Sequence, residues 1–206
     1  MFRGLHLGCG DHVLAGWINA DLDPRGEDCL AFDAAKPFPF EDESLDVVFS
    51  EHMIEHMNFQ DGMVMLRECW RVLKPGGRIR VTTPDLPFLI KIYTGPRSKL
   101  EEDYLVWAAR RFVPQPPDEA AIFVFNNFVR AWGHLFIYDL ATLSRSLSAA
   151  GFVAIEQFRL GESDHPHLRG IENIDRLPPG FLQLESCTLE GVKPLLPPST
   201  AAVVVD

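Results

Sequence analysis

No stretch of this chain stays apolar for the roughly 18 to 20 residues that a bilayer crossing needs, so a membrane-spanning helix is excluded. The first residues also lack a charged-then-apolar leader pattern, and a cytoplasmic location is expected. Cations are scarce: 19 Lys and Arg stand against 29 Asp and Glu, a net charge of -10 that argues against a nucleic-acid partner. Arg110-Arg111, the densest basic pair, reads as a solvated helix face. The four cysteines, Cys9, Cys29, Cys69 and Cys187, form no C-x-x-C pair. Neither a disulfide framework nor a cysteine zinc site is therefore expected, and they read as small buried apolar residues. No internal repeat is visible, and oligomeric state is not legible.

What is present is enough apolar material, 47% of 206 residues, for a sizeable core. One domain is expected over residues 1–193, with a helical lid insertion at about 86–135. A loose proline-bearing tail is expected over 194–206. Strands are predicted at residues 2–7, 17–22, 45–49 and 78–83, the last opened by the turn Lys74-Pro75-Gly76-Gly77. Met63, Leu66, Trp70 and Leu73 recur at helical spacing within 58–73. Strand, helix, strand in this order implies a parallel pair and an α/β sheet. Residues 11–16 are too few to wind a crossover helix, so at most one turn is expected there, beside a thinly covered sheet face. Helices are predicted at 100–112, 119–132 and 140–150, and strands at 152–160 and 181–192. The 161–180 connection between those last strands is short enough for an antiparallel return.

The run Leu5-His6-Leu7-Gly8-Cys9-Gly10 couples an apolar strand to a glycine turn. Glycine there tolerates positive φ and lets a ligand approach the backbone, although alone such a turn is equally an ordinary strand exit. Asp21 closes the second strand, Asp33 precedes Pro37-Phe38-Pro39-Phe40, Asp46 opens the third strand, and Leu73-Lys74-Pro75-Gly76-Gly77 precedes the fourth.

In this order, these features resemble the class I S-adenosylmethionine-dependent methyltransferases, closely over residues 3–85 and more loosely through Tyr138-Asp139 and Ala149-Ala150-Gly151-Phe152. The resemblance implies a Rossmann-like three-layer α/β sandwich, mostly parallel with an antiparallel C-terminal strand. It implies S-adenosylmethionine as cofactor and S-adenosylhomocysteine as product. His6, Gly8, Cys9, Gly10, Asp21, Leu22, Asp33, Ala34, Ser50 and Glu51 are then the expected cofactor-binding residues. A carboxylate at the end of the second strand can accept both ribose hydroxyls, which suits Asp21, with Asp23 its near competitor. Asp33 matches the family's acid beside the adenine amino group. The sequence departs at His6, where the family commonly carries an acid for the ligand's ammonium group. Glu51 or backbone carbonyls are expected to serve instead.

Methyl transfer to a hydroxyl requires a proton acceptor, and His52, His134 and Asp139 are the catalytic candidates. Phe123, Phe125, Phe128, Trp132 and Phe136 would make an apolar lid or serve as core. His52-Met53-Ile54-Glu55-His56 spells H-x-x-E-H, a zinc-hydrolase pattern, but a catalytic zinc would also need a third ligand at a definite downstream position, the segment's place just after a parallel strand is better explained by the methyltransferase resemblance, and no metal is expected. The expected function is methyl transfer to an O or N atom of a small-molecule acceptor, a sugar or sugar-linked precursor being one candidate. The alternative is a non-catalytic binding or regulatory module of the same fold. A nicotinamide dehydrogenase is disfavoured because Gly8-Cys9-Gly10-Asp11-His12-Val13 lacks the third glycine of G-x-G-x-x-G.

Overall fold

The computed structural model describes residues 2–195, so most of the expected tail, 196–206, lies outside the described residues. Seven strands form one sheet: β1 (Gly4–Leu7), β2 (Ile18–Asp21), β3 (Cys29–Ala31), β4 (Leu45–Glu51), β5 (Leu73–Pro84), β6 (Val153–Gln157) and β7 (Ser186–Val192). Their order is β3-β2-β1-β4-β5-β7-β6, with β1 to β5 parallel and β7 antiparallel to both neighbours. The chain leaves β1 toward β2 on one side and later returns to β4 on the other. The carboxyl ends of β1 and β4 therefore open the crevice where such sheets take ligands.

One face is covered by α1 (Phe59–Val72) and α5 (Leu140–Ala149). Asn58 caps α1 by accepting from the Asp61 amide, a bond worth about 1 kcal/mol. Met63, Leu66 and Cys69 carry the buried stripe of α1 onto Leu5, Leu7, Val48 and Ile79 of the strands. The opposite face is thin. Val47 and Phe49 meet Leu168 and Ile171 from the segment after β6, together with Phe2, Leu14 and Trp17. Arg80, wholly buried, pins that segment: Nε donates to Glu172 Oε1 (2.6 Å), and Nη1 donates to Glu190 Oε1 (2.6 Å) and the Glu162 carbonyl (2.8 Å).

Between β1 and β2 the chain forms turns and no helix. Asn19, buried on β2, takes over the crossover's backbone: its Oδ1 accepts from Leu14 N (2.9 Å) and its Nδ2 donates to Leu14 O (3.0 Å).

Helices α2 (Leu86–Thr94), α3 (Lys99–Phe112), α4 (Ala121–Arg130) and α6 (Phe181–Glu185) build a second apolar cluster around Phe88, Tyr104, Phe128 and Phe181. This corrects the strand expected from Phe181. Gly180 in the left-handed region turns the chain, and Phe181 and Leu182 wind into a helical turn that buries them before β7 begins at Ser186. Two short elements escape the periodicity: β3, a three-residue strand at the sheet's margin, and α2, which opens with proline in its first turn. Strand β5 starts five residues before the expected Arg78, because Leu73 already pairs with Leu45 ahead of an irregularity in register. Cys9 and Cys29, twenty residues apart in sequence, lie with sulfurs 3.1 Å apart, both free thiols.

Candidate active site

At the exit of β1, Gly8 and Gly10 both take positive φ, 68° and 50°. A Cβ on Gly8 would lie 2.3 Å from Met53 Cγ, so this position demands glycine for space as well as conformation. The turn is anchored on β2: Gly8 N and Cys9 N donate to Ala20 O, and Gly10 N donates to Asp21 Oδ2 at 2.9 Å. Asp21 Oδ1 accepts from Asp23 N (3.0 Å), which holds the carboxylate at the rim with lone pairs to spare.

A cleft of about 570 Å³ opens over these residues. It gathers Gly8, Gly10, Asp21, Leu22, Asp33 and Ala34, six of the ten expected cofactor residues. Asp33 Oδ1 accepts from Ala35 N (2.9 Å) and Oδ2 lies 3.2 Å from Lys36 Nζ, contacts that hold its carboxyl below the usual range, the Ala35 amide contributing most. Leu22 and Leu135, 73% and 65% exposed, present apolar side chains to the cleft, as a flat heteroaromatic ring requires.

A smaller adjoining cavity, about 230 Å³, collects His6, Cys9, Glu51 and Arg176 beside the glycine turn. His6 is 1% exposed, stacks on Phe49 (4.9 Å between centroids), and has its pKa pushed down to about 4, mainly by burial. It is a neutral imidazole where the family commonly places an acid. Glu51 Oε2 accepts from Asn173 N (3.0 Å), while Oε1 is buried without a hydrogen-bond partner. Burial raises the Glu51 carboxyl. Ser50 is a correction: it is wholly buried and lines neither space, because strand alternation turns it from Glu51's face to the opposite one.

On the other side of His52 and His56 lies a third cavity, about 260 Å³, under α3 and α4. Its lining sets Phe112, Val124, Phe128 and Trp132 beside the polar His52, Glu55, His56, Asn127, His134, Arg176 and Glu185. His52 follows β4 with φ 47°, an unusual conformation for a non-glycine residue, held by its N donating to Thr82 O (2.8 Å) and by a 2.7 Å contact between Nε2 and Ser186 Oγ. Glu55 is wholly buried, and burial raises its carboxyl to about 8. His134 reaches the cavity from the loop after α4. Asp139 does not belong here: its Oδ1 accepts from Thr142 N (2.6 Å) as the cap of α5, so it leaves the catalytic set. Asp46, bound to Lys74 Nζ (2.6 Å) and Arg3 N (2.8 Å), is a latch at the opposite end of β4. Of the five lid aromatics, Phe128 and Trp132 face the cavity, while Phe136 packs on Phe59 in the main core. Sequence reasoning met Glu55 only as part of the H-x-x-E-H pattern, and it missed Arg176 and Glu185 as cavity residues. Arg176 lines two of the three spaces from a single 3-10 turn, and only tertiary folding brings it there.

The strand order, the glycine turn and the acid at the end of β2 define a Rossmann-like class I methyltransferase fold. Residues 5–81 match the methyltransferase domain family model. Over 163 residues the chain is 30% identical to demethylmenaquinone methyltransferase of Clavibacter sepedonicus, covering 73% of this chain and 60% of that protein. The chain thus spans about three fifths of that relative's length. A solved SAM-dependent methyltransferase from Archaeoglobus fulgidus shares the fold at a TM-score of 0.54 and 18% identity, over 93% of this chain and 86% of that one. So does Haemonchus contortus phosphoethanolamine N-methyltransferase 2, solved with phosphomonomethylethanolamine and S-adenosylhomocysteine (TM-score 0.50, 16% identity, 94% of this chain and 49% of that one). In sequence the chain is similar to methyltransferases, and its fold is that of the class I S-adenosylmethionine-dependent methyltransferases.

Proposed function

We propose that this chain transfers the methyl group of S-adenosylmethionine to an oxygen or nitrogen atom of a small acceptor, releasing S-adenosylhomocysteine. The observation that carries the reading is the meeting of two spaces at His52 and His56: a cleft holding Gly8, Gly10, Asp21 and Asp33 on one side and a cavity with aromatic and polar lining on the other. Asp33 and the Ala34 backbone would take the adenine edge, Asp21 the ribose hydroxyls, and Leu22 and Leu135 the ring faces. Glu51 would take the ammonium group, with Arg176 nearby for the carboxylate. Bound S-adenosylmethionine supplies a methyl carbon on a sulfonium centre; the acceptor's lone pair forms the new bond and the S–C pair returns to sulfur.

The chain's part is to align the acceptor, exclude water and receive its proton. Residues 86–135 would act as the cover that excludes water, within one domain spanning 1–193. His52 at the shared wall and His134 inside the cavity would be the proton acceptors. Phe112, Phe128 and Trp132 favour an acceptor with an apolar or aromatic body over a bare sugar, whose hydroxyls would lose hydrogen bonds there. A sugar-linked precursor fits through its non-sugar part. Demethylmenaquinone, named in the relative from Clavibacter sepedonicus, enters as one candidate.

A module that binds the cofactor without chemistry is the second reading, favoured by the neutral His6. Calorimetric titration of the full chain with S-adenosylmethionine, S-adenosylhomocysteine and NAD tests both. The first two are expected to bind and NAD to give no heat. Absence of binding by both sulfur ligands overturns the proposal. Binding without transfer of a labelled methyl group to any acceptor in a screen of apolar phenols, amines and quinones supports the second reading.

A further inference from the structure

The geometry points to a divalent transition-metal site formed by Glu55, His56 and His134 in the wall of the 260 Å³ cavity, His56 also lining the neighbouring cleft. One ligand-capable atom from each lies within 4.8 Å of the other two. Tetrahedral ligands at ~2.1 Å from zinc stand ~3.4 Å apart, so small side-chain rotations close the set.

Backbone bonding holds the three together. Glu55 and His56 share one 3-10 turn after β4, and the loop carrying His134 is fastened to that turn by Leu135 N and Phe136 N, which both donate to Glu55 O (2.8 and 3.2 Å). The third ligand, 78 residues downstream of His56, is thus brought to the first two by main-chain bonds.

The outer contacts are those that metal ligands need. His134 Nδ1 lies 2.6 Å from the Phe128 carbonyl, which can only accept, so Nδ1 carries the proton and Nε2 keeps its lone pair. Thr83 Oγ1 donates to Glu55 Oε2 (3.1 Å) and orients the carboxylate. Glu55 Oε1, on a residue with 0% exposure, has no hydrogen-bond partner; His52 Nδ1 lies 3.4 Å away, but burial disfavours its charged form. A buried carboxylate oxygen left in this way calls for a cation or a proton.

Two imidazole nitrogens and one carboxylate oxygen, with further positions open to a cavity, suit borderline cations such as Zn2+, Co2+ or Mn2+. All three residues line the 260 Å³ cavity, so an acceptor oxygen is placed to complete the coordination. That role rests on the transferase reading, whereas metal binding does not. With the ion in place His134 is a ligand, and it leaves the set of proton acceptors.

The test uses the full chain stripped with EDTA and titrated with Co2+, followed by visible absorption and by calorimetry, without cofactor or acceptor. One equivalent is expected to bind, with the ligand-field bands of a low-symmetry site. His134→Ala and, separately, His56→Asn should each weaken binding roughly 100-fold or more, with folding checked by circular dichroism. Glu55→Gln serves as a third variant should either unfold. Absence of a saturable equivalent, or equal binding in the variants that fold, overturns the site and leaves the oxygen of Glu55 to a proton. A separate titration of the wild-type chain with S-adenosylhomocysteine keeps the two proposals apart: cofactor binding without cobalt defeats only the metal site, and cobalt binding without cofactor defeats only the transferase reading.

Discussion

His6 makes the pH dependence of folding a quantitative test of the glycine-turn strand. Burial first, then the neighbouring His12, brings its pKa from 6.5 to about 4. Between those values the unfolded chain binds a proton that the folded chain refuses, so unfolding free energy rises with pH across that window. The contribution is complete above about pH 7, and it is lost as pH falls through 6.5 toward 4. For one imidazole with this shift, the loss between pH 7.5 and pH 5 comes to about 2 kcal/mol, approaching ~3 kcal/mol at pH 4. At 1% exposure, solvent screening takes little from it. Urea unfolding at pH 7.5, 6 and 5 reads the effect in the wild-type chain and in His6→Gln, each referred to its own value at pH 7.5. The wild type should lose about 2 kcal/mol more than the variant by pH 5. Identical pH dependence in the two would refute the buried neutral imidazole, and with it the assignment of the ammonium contact to Glu51 rather than His6.

Gly8→Val should abolish the calorimetric signal with S-adenosylhomocysteine, because the new Cβ falls 2.3 Å from Met53 Cγ and the left-handed backbone adds about 1–2 kcal/mol of strain; undiminished affinity would place the cofactor elsewhere. Asp21→Ala removes the anchor of Gly10 N together with the ribose acceptor, and a dissociation constant raised roughly 10- to 100-fold is expected in the same titration. Arg80→Met leaves Glu172 buried without its cation and Glu190 with Arg78 alone, so thermal or urea unfolding should show a loss of about 3–5 kcal/mol. Tyr138→Phe removes a buried hydroxyl that has no partner, and denaturation should show equal or slightly greater stability, by up to ~1 kcal/mol.

The cleft over the glycine turn was readable because its signals are local. A glycine turn at a strand exit and a carboxylate at the end of the next strand are set by conformation and by strand direction, and Gly8, Gly10 and Asp21 do meet in one cleft. The thin sheet face followed in the same way from the length of the first crossover. What stayed hidden depends on contacts between distant segments. Asn19 reads as an ordinary polar strand residue until its amide is seen closing the crossover in place of a helix. Arg80, in the middle of a strand, gives no sign that its partners come from residues 159–190. Glu55 and His56 carry a pattern with a known metal chemistry, yet the histidine that completes a triad arrives on a loop with no fixed spacing. Asp139 shows the converse: an acid beside a tyrosine suggested chemistry, and its side chain is spent on capping a helix. Helix α6 was masked because Phe181 to Leu184 are apolar enough for either state, and packing against α3 decided it.

The most direct test of the account is the crystal structure of this chain with S-adenosylhomocysteine. It should place the adenine beside Asp33 and Leu22, the ribose on Asp21, the ammonium group on Glu51, and the sulfur facing His52 at the mouth of the apolar cavity. Ligand density outside the cleft over Gly8 and Gly10, or a ribose that leaves Asp21 unbonded, would contradict it.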